Sequence, residues 1–291
     1  VNPTAQAPPI VIRPAATVIL LRDAPAGLEV FMVKRHGQSA VLGGAHVFPG
    51  GKVDAADALV DPVQLDQSPA QLHAQLCEAD IDDTTATAIH VAAIREAFEE
   101  CGVLLAHDVA PARARDLTGA AAQGTPFNAL LAQFGLVLNT RLLRPWSRWI
   151  TPERSLAIVG KRFDTRFFIA TVPAGQTAHH DAHEAVDSVW LRPRDAVERY
   201  WRGEIAMAPP QVMSLVHFAQ HADVASVLHE AAARGPCVIR PHIFEEDGCR
   251  ATAYPGDPLH PEQERAMPGP LRLLLRGERL EPTGGFDGFW R

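Results

Sequence analysis

The sequence predicts a mixed α/β domain built in layers, and three observations carry that prediction. Short apolar or β-branched runs of strand length recur along the chain. Amphipathic helical patterns alternate with them. At the start, two such runs are joined by a turn short enough for a hairpin.

In order, Ala16 to Leu21 and Leu28 to Val33 read as the hairpin strands, joined by the turn-forming Asp23–Gly27. A Gly-rich stretch, Gly43 to Gly51, follows; its four glycines permit sharp turns and close backbone approach. Ala58 to Ala79 is polar and rich in Ala and Gln, partly helical, with Pro62 and Pro69 as interruptions. Carried to residue 82 it reads as an insertion. Asp82-Asp83-Thr84 offers N-caps for a helix running to Cys101, with Ile89, Ala93, Ile94, Ala97, Phe98 and Cys101 on its apolar side. Gly102 sits where a left-handed C-terminal residue is wanted.

Beyond it, a minor helix is expected around Pro126 to Phe134, strands at Arg162 to Val172 and Val186 to Leu191, and a helix opened by Pro193. A single longer helix is expected from Pro210 to about Arg234, then strands at Cys237 to Phe244 and Leu271 to Leu275. The domain division that follows is an N-terminal extension 1–14, a main domain 15–235 with the insertion 58–82, and a C-terminal extension 236–291.

The 291 residues are 47% hydrophobic and 21% charged, which supports a sizeable core and argues against disorder. A formal charge of −7 with interspersed signs points away from a nucleic-acid partner. No apolar run approaches the roughly 18 residues of a membrane span, and Val1 to Pro14 lacks the apolar block of a signal peptide. Cys77, Cys101, Cys237 and Cys249 show no metal-type or disulfide spacing, so free thiols in the cytoplasm are the expectation. Whether the chain is a monomer or a homodimer is open.

The chemistry lies in Arg95-Glu96-Ala-Phe-Glu99-Glu100-Cys-Gly102-Val103. Residues three and four apart share a helix face, so the three glutamates cluster while Ile94, Ala97, Phe98 and Cys101 face the core. Like charges so crowded destabilise the helix without a counterion. A hard divalent cation such as Mg²⁺ or Mn²⁺ supplies one. Arg95 can pair with Glu99 one turn on. A solvated acidic face is the competing explanation, and the helix alone does not decide between them.

The upstream turn does. Gly51 with Arg95-Glu96-x-x-Glu99-Glu100-x-Gly102-Val103 resembles the box of the Nudix hydrolases, G-x5-E-x7-R-E-U-x-E-E-x-G-U. Two departures stand out. The first acid falls on Asp57, one methylene short, and the aliphatic position falls on Ala97 or, in another alignment, Phe98. Gly51 and Arg95 (positions 51 and 95) lie 44 apart, where the pattern has 14. Such an insertion after Phe48-Pro-Gly-Gly51-Lys-Val-Asp54 resembles the coenzyme A diphosphatase branch of the RP2 type.

The resemblance implies a Nudix-type α/β/α sandwich and metal-dependent cleavage of a diphosphate in a nucleoside diphosphate derivative. It makes Glu96 and Glu100 principal metal ligands and Glu99 a further ligand or water-orienting group. The Gly50 or Gly51 carbonyl completes the shell and Arg95 steadies the glutamates. It offers Glu184, before the Val186 strand, as general base. His179 and His183 in the same loop are a rival metal pair, against a solvated His-rich loop. A second family motif lays its first Arg on Arg35 and its end on Phe48 to Gly51, making Arg35 and Phe48 substrate contacts together with Arg162. Its second Arg falls on Ala40. Of Phe167 and Phe168, one at most faces a pocket. Coenzyme A or an acyl derivative is the leading substrate, ADP-ribose or another nucleotide derivative the next. A non-catalytic nucleotide-binding module is the alternative of a different class.

Overall fold

The computed structural model describes residues 11–39, 42–152, 162–181 and 185–291, apart from the side chains of residues 111, 112 and 115. Its centre is β1 (Ile12–Ala24). The run from Ala15 to Leu21 is buried throughout because both faces of β1 are covered. Ala16, Val18 and Leu20 enter one apolar core, while Ile19 and Leu21 enter a second on the other side.

β1 turns at Ala24 into β2 (Gly27–Arg35), the expected hairpin. Two short strands follow, β3 (His46–Val47) on β2 and β4 (Gly50–Lys52) on β1. β5 (Arg144–Ile150), β6 (Arg162–Thr171), β7 (Ala185–Leu191) and β8 (Cys237–Ile239) complete an eight-stranded mixed sheet. β6 runs parallel to β1, with Thr17 opposite Phe167 and Ala16 opposite Arg166.

On one face lie α1 (Pro69–Leu76), α2 (Asp83–Cys101), α3 (Pro111–Ala122) and α4 (Phe127–Gln133). On the other lie α5 (Pro193–Trp201), α6 (Pro209–Phe218) and α7 (Val224–Ala233). The α/β/α sandwich expected from the sequence is the fold observed. β9 (His242–Glu246), β10 (Cys249–Ala253), β11 (Arg272–Arg276) and β12 (Arg279–Pro282) form a separate antiparallel sheet. That sheet contributes Leu273 to the second core, beside Tyr254 and Phe289 of the same C-terminal region.

Several expectations need correction. Ile12 to Pro14 are part of β1, so the strand reaches into the segment taken as an extension. β8 pairs in parallel with β5, so the main sheet continues past residue 235. Pro62 and Pro69 start helical turns rather than interrupt them, as the first-turn position tolerates a missing N–H. The long helix after Pro210 is two helices: α6 ends at Phe218, and Asp223 caps α7 by accepting from the Ser226 N–H at 2.8 Å. α3 was not anticipated. No helix among the described residues is long and apolar enough to cross a membrane, and all four cysteines are free thiols.

Candidate active site

α2 places the carboxylates. Asp82 caps its start, accepting from the Thr85 N–H at 2.7 Å. At its end Gly102 adopts φ +68°, its N–H returning to the Phe98 carbonyl and that of Val103 to Ala97. Ala97 and Phe98, the two alternatives for the aliphatic box position, are both buried in the α2-side core. The opposite stripe carries Glu96, Glu99 and Glu100 toward β4.

β4 is fixed by pairing with β1, Gly50 opposite Thr17 and Gly51 opposite Ala16. This backbone approaches the helix so closely that a methyl on Gly51 would lie 2.4 Å from a Glu96 carboxylate oxygen. Glycine is the one residue that leaves this carboxylate its place. Gly50 donates its N–H to Glu100 Oε2 at 2.9 Å. The resemblance gives the Gly50 or Gly51 carbonyl to a metal shell; the Gly50 amide has a role of its own beside that, donating to a glutamate.

Arg95 organises the rest. Nη1 donates to Glu96 Oε1 at 2.8 Å and to Glu99 Oε2 at 2.9 Å. Nε and Nη2 hold both oxygens of Asp57 at 2.8 and 3.0 Å, and Nη2 also reaches the Lys52 carbonyl. Burial opposes the guanidinium charge, but its hydrogen bonds to Asp57 and the nearby carboxylates hold Arg95 above its ordinary pKa. Asp57 is almost fully buried and also accepts from the Asp54 N–H at 2.8 Å. Half-exposed Glu99 has its carboxyl pushed above the usual range by partial burial and by the charges of Asp57 and Asp54, with Arg95 pulling the other way.

Arg35, at the end of β2, brings Nη1 to 3.9 Å from Glu100 Oε1. Its Nε is buried without a hydrogen-bond partner among the described residues. The loop after β6 closes on the end of α2: Asp181 N–H donates to the Glu100 carbonyl at 2.9 Å and His179 N–H to that of Cys101 at 3.2 Å. Glu184 and His183 lie outside the described residues.

Two expected contacts fall elsewhere. Phe48 is buried in the core on the face away from α2, edge-on to Phe167 at 6.5 Å, so it packs rather than meets substrate. Phe167 and Phe168 point to opposite faces, and both are core. Arg162 donates to the Thr151 carbonyl at 3.0 Å and lines a cavity of about 410 Å³ with Asp80, Thr85 and Arg148. Thr85 stands at the start of α2, about 16 Å along the axis from Glu96 at 1.5 Å per residue. The structure thus brings together Arg35, Gly50, Gly51, Arg95, Glu96, Glu99 and Glu100, and leaves Phe48 and Arg162 apart. Asp57's bond to Arg95 is the member that helix spacing could not reveal.

The three glutamates, an arginine organising two of them and a glycine turn shaped around a carboxylate are a hard-oxygen donor set that fits a divalent ion. Residues 9–218 match the family model of the NUDT19 Nudix domain. The chain belongs to that family. It is similar to the human acyl-coenzyme A diphosphatase NUDT19, at 29% identity over 94% of this chain and 83% of the relative. The chicken (Gallus gallus) protein of the same name is 28% identical over 86% and 80%. Among solved structures, a Nudix hydrolase from Alicyclobacillus acidocaldarius superposes with a TM-score of 0.58, 27% identity, and coverage of 78% of this chain and 97% of that one. Nudix hydrolases generally use divalent metal ions, and the NUDT19 Nudix domain spans both edges of the insertion that separates Gly51 from Arg95.

Proposed function

We propose that the chain hydrolyses the diphosphate of coenzyme A or an acyl-coenzyme A, adding water across one P–O–P link. The products are adenosine 3′,5′-bisphosphate and the corresponding 4′-phosphopantetheine. The observation that carries this reading is the convergence of Glu96, Glu99 and Glu100 with the Gly50–Gly51 turn, in a chain similar over most of its length to proteins named acyl-coenzyme A diphosphatases.

Glu96, Glu99 and Glu100 would hold Mg²⁺ or Mn²⁺, which when bound neutralises phosphate charge and lowers the pKa of water. The protein's own part is positioning. Arg95 fixes Glu96 and Glu99 through one nitrogen, so neither carboxylate swings away. The Gly50 amide fixes Glu100. Glu99, the most exposed of the three, faces solvent and orients the attacking water, accepting its proton. Arg35, beside Glu100 with its Nε unpaired, meets a phosphate oxygen of the substrate.

A panel of coenzyme A, acyl-coenzyme A, ADP-ribose and NADH with Mg²⁺ or Mn²⁺, products separated by mass, tests the reading. Coenzyme A species should be cleaved to the pair above, and Glu99→Gln should lower kcat by roughly 10²–10⁴-fold, the range for losing a positioned proton acceptor. Cleavage of ADP-ribose in preference would move the substrate class. Survival of every compound would make the chain a binding module.

A further inference from the structure

Across the sheet from α2, a second group of side chains converges. Among the described residues, the one set of three His, Cys, Asp or Glu side chains whose ligand atoms all lie within 4.8 Å of one another is His217, His221 and Glu230. His217 lies in the last turn of α6, His221 just beyond it, and Glu230 comes from α7. Nε2 of His217 lies 2.9 Å from Glu230 Oε1, and Nε2 of His221 lies 2.9 Å from Glu230 Oε2.

The second ring nitrogen of His221 is also placed. Ser226 Oγ lies 2.8 Å from the Asp223 carbonyl and 3.2 Å from His221 Nδ1. With the hydroxyl proton on the Asp223 carbonyl, the imidazole donates from Nδ1 and presents the Nε2 lone pair toward Glu230. The other tautomer, with Nε2–H donating to Glu230 Oε2, is the metal-free arrangement. An Nδ1–H tied to a hydroxyl, leaving Nε2 free, is the way proteins orient a metal-ligating histidine.

The rest of the setting suits a metal. Arg234 Nε holds Glu230 Oε1 at 2.7 Å and leaves Oε2 facing His221. The His217 ring is braced on Trp146, centroids 4.7 Å apart. His217 and Glu230 open onto a cavity of about 510 Å³ that Met267 and Trp290 of the C-terminal region also line. Ligands 2.0–2.1 Å from a tetrahedral ion stand roughly 3.3 Å apart; the two 2.9 Å His–Glu separations widen by a few tenths of an ångström to reach this, and the three ligand atoms together lie within 4.8 Å.

We propose that His217 Nε2, His221 Nε2 and Glu230 form a second metal site for a transition ion of the zinc class, its remaining position open to the cavity. Two imidazoles and one carboxylate select such an ion over Mg²⁺, which keeps to oxygen. The site is separate from the carboxylate helix, which packs on the opposite face of the sheet.

The test uses the full chain, stripped with chelator and then dialysed against Zn²⁺ in excess Mg²⁺, which occupies the oxygen ligands of α2. One retained zinc per chain is expected. The His217→Gln/His221→Gln pair and, separately, the shape-preserving Glu230→Gln should bind zinc at least about 100-fold more weakly, beyond the 10–100-fold typical of losing an outer-shell partner. Their Mg²⁺-dependent diphosphatase rate should stay within about twofold of the parent. A readout on the unaltered chain guards against misfolded variants: Co²⁺ should give the strong visible absorption of four-coordinate nitrogen–oxygen ligation, erased by zinc. No zinc retained, retention unchanged in the variants, or only the weak spectrum of six-coordinate Co²⁺ would each overturn the proposal.

Discussion

Arg95 grips both carboxylate oxygens of Asp57, 38 positions earlier in the chain, at 2.8 and 3.0 Å in a buried setting. The pair closes the neck of the insertion: Asp57 stands before it, Arg95 after it, and the same guanidinium holds Glu96 and Glu99. One side chain thus couples the insertion's docking to the geometry of the carboxylates.

Removing the charge of one partner weakens two buried bonds at once, since Arg95 keeps Glu96 and Glu99 but loses its most buried counter-charge. Asp57→Asn should destabilise the fold by about 3–5 kcal/mol, read by urea unfolding. Asp57→Glu, which restores the acid usual in the family at that position, adds a methylene to a site that is 1% exposed. It should cost about 1–3 kcal/mol while keeping the rate at saturating metal. Equal losses from Asn and Glu would mean that fit, not charge, holds this corner.

Gly51 offers a sharper separation of stability from catalysis. A methyl there would lie 2.4–2.7 Å from the three carboxylate atoms of Glu96, a movable side-chain end rather than fixed backbone. Gly51→Ala should therefore fold with little loss, because Glu96 can give way. The displaced carboxylate should weaken divalent-ion binding and lower activity by about 10–100-fold, the range for disturbing a ligand's orientation. The check is a metal titration of the rate beside a thermal melt; an unshifted metal dependence would remove Glu96 from the ion's shell.

What the sequence disclosed and what it withheld divide along physical lines. The three glutamates, Gly102 and the hairpin were legible because helical spacing, a left-handed cap and turn residues are local facts. The bond from Arg95 to Asp57 was not, since a contact across 38 positions leaves no trace in periodicity. Phe48 misled for another reason: it belongs to the turn that approaches Glu96, yet its side chain points to the other face of the sheet. The break between α6 and α7 has neither Pro nor Gly to announce it, only the capping Asp223.

The insertion is pinned at a second point. Glu78, buried, accepts from Arg166 Nε at 2.9 Å and pairs with Arg148 at 2.9 Å, and both arginines also meet Asp164. Glu78→Ala would leave two arginines of β5 and β6 with Asp164 and, for Arg148, the exposed Asp80 at 3.9 Å. The expected loss is about 3–5 kcal/mol, with the purified folded variant keeping its turnover because the pair lies at the other end of α2 from Glu96. A fall in kcat without a fall in stability would show that the insertion reaches the reaction directly.

His90 predicts how the fold responds to acid. It is fully buried on α2 against Phe168, and its Nδ1–H donates to the Ala86 carbonyl at 2.8 Å while Nε2 has no partner. Burial lowers its pKa to about 4. The unfolded chain, titrating near 6.5, binds the more protons between those values, so stability is full above about pH 6.5 and is lost as pH falls toward 4. A shift of that size corresponds to something on the order of 3 kcal/mol across the window. His90→Leu removes the titrating group and the orphaned Nε2 together. Unfolding at pH 7.5 and pH 5 should show the variant losing clearly less stability than the parent on acidification. If the difference between the two proteins is the same at both pH values, His90 is not the acid-sensitive group of this helix.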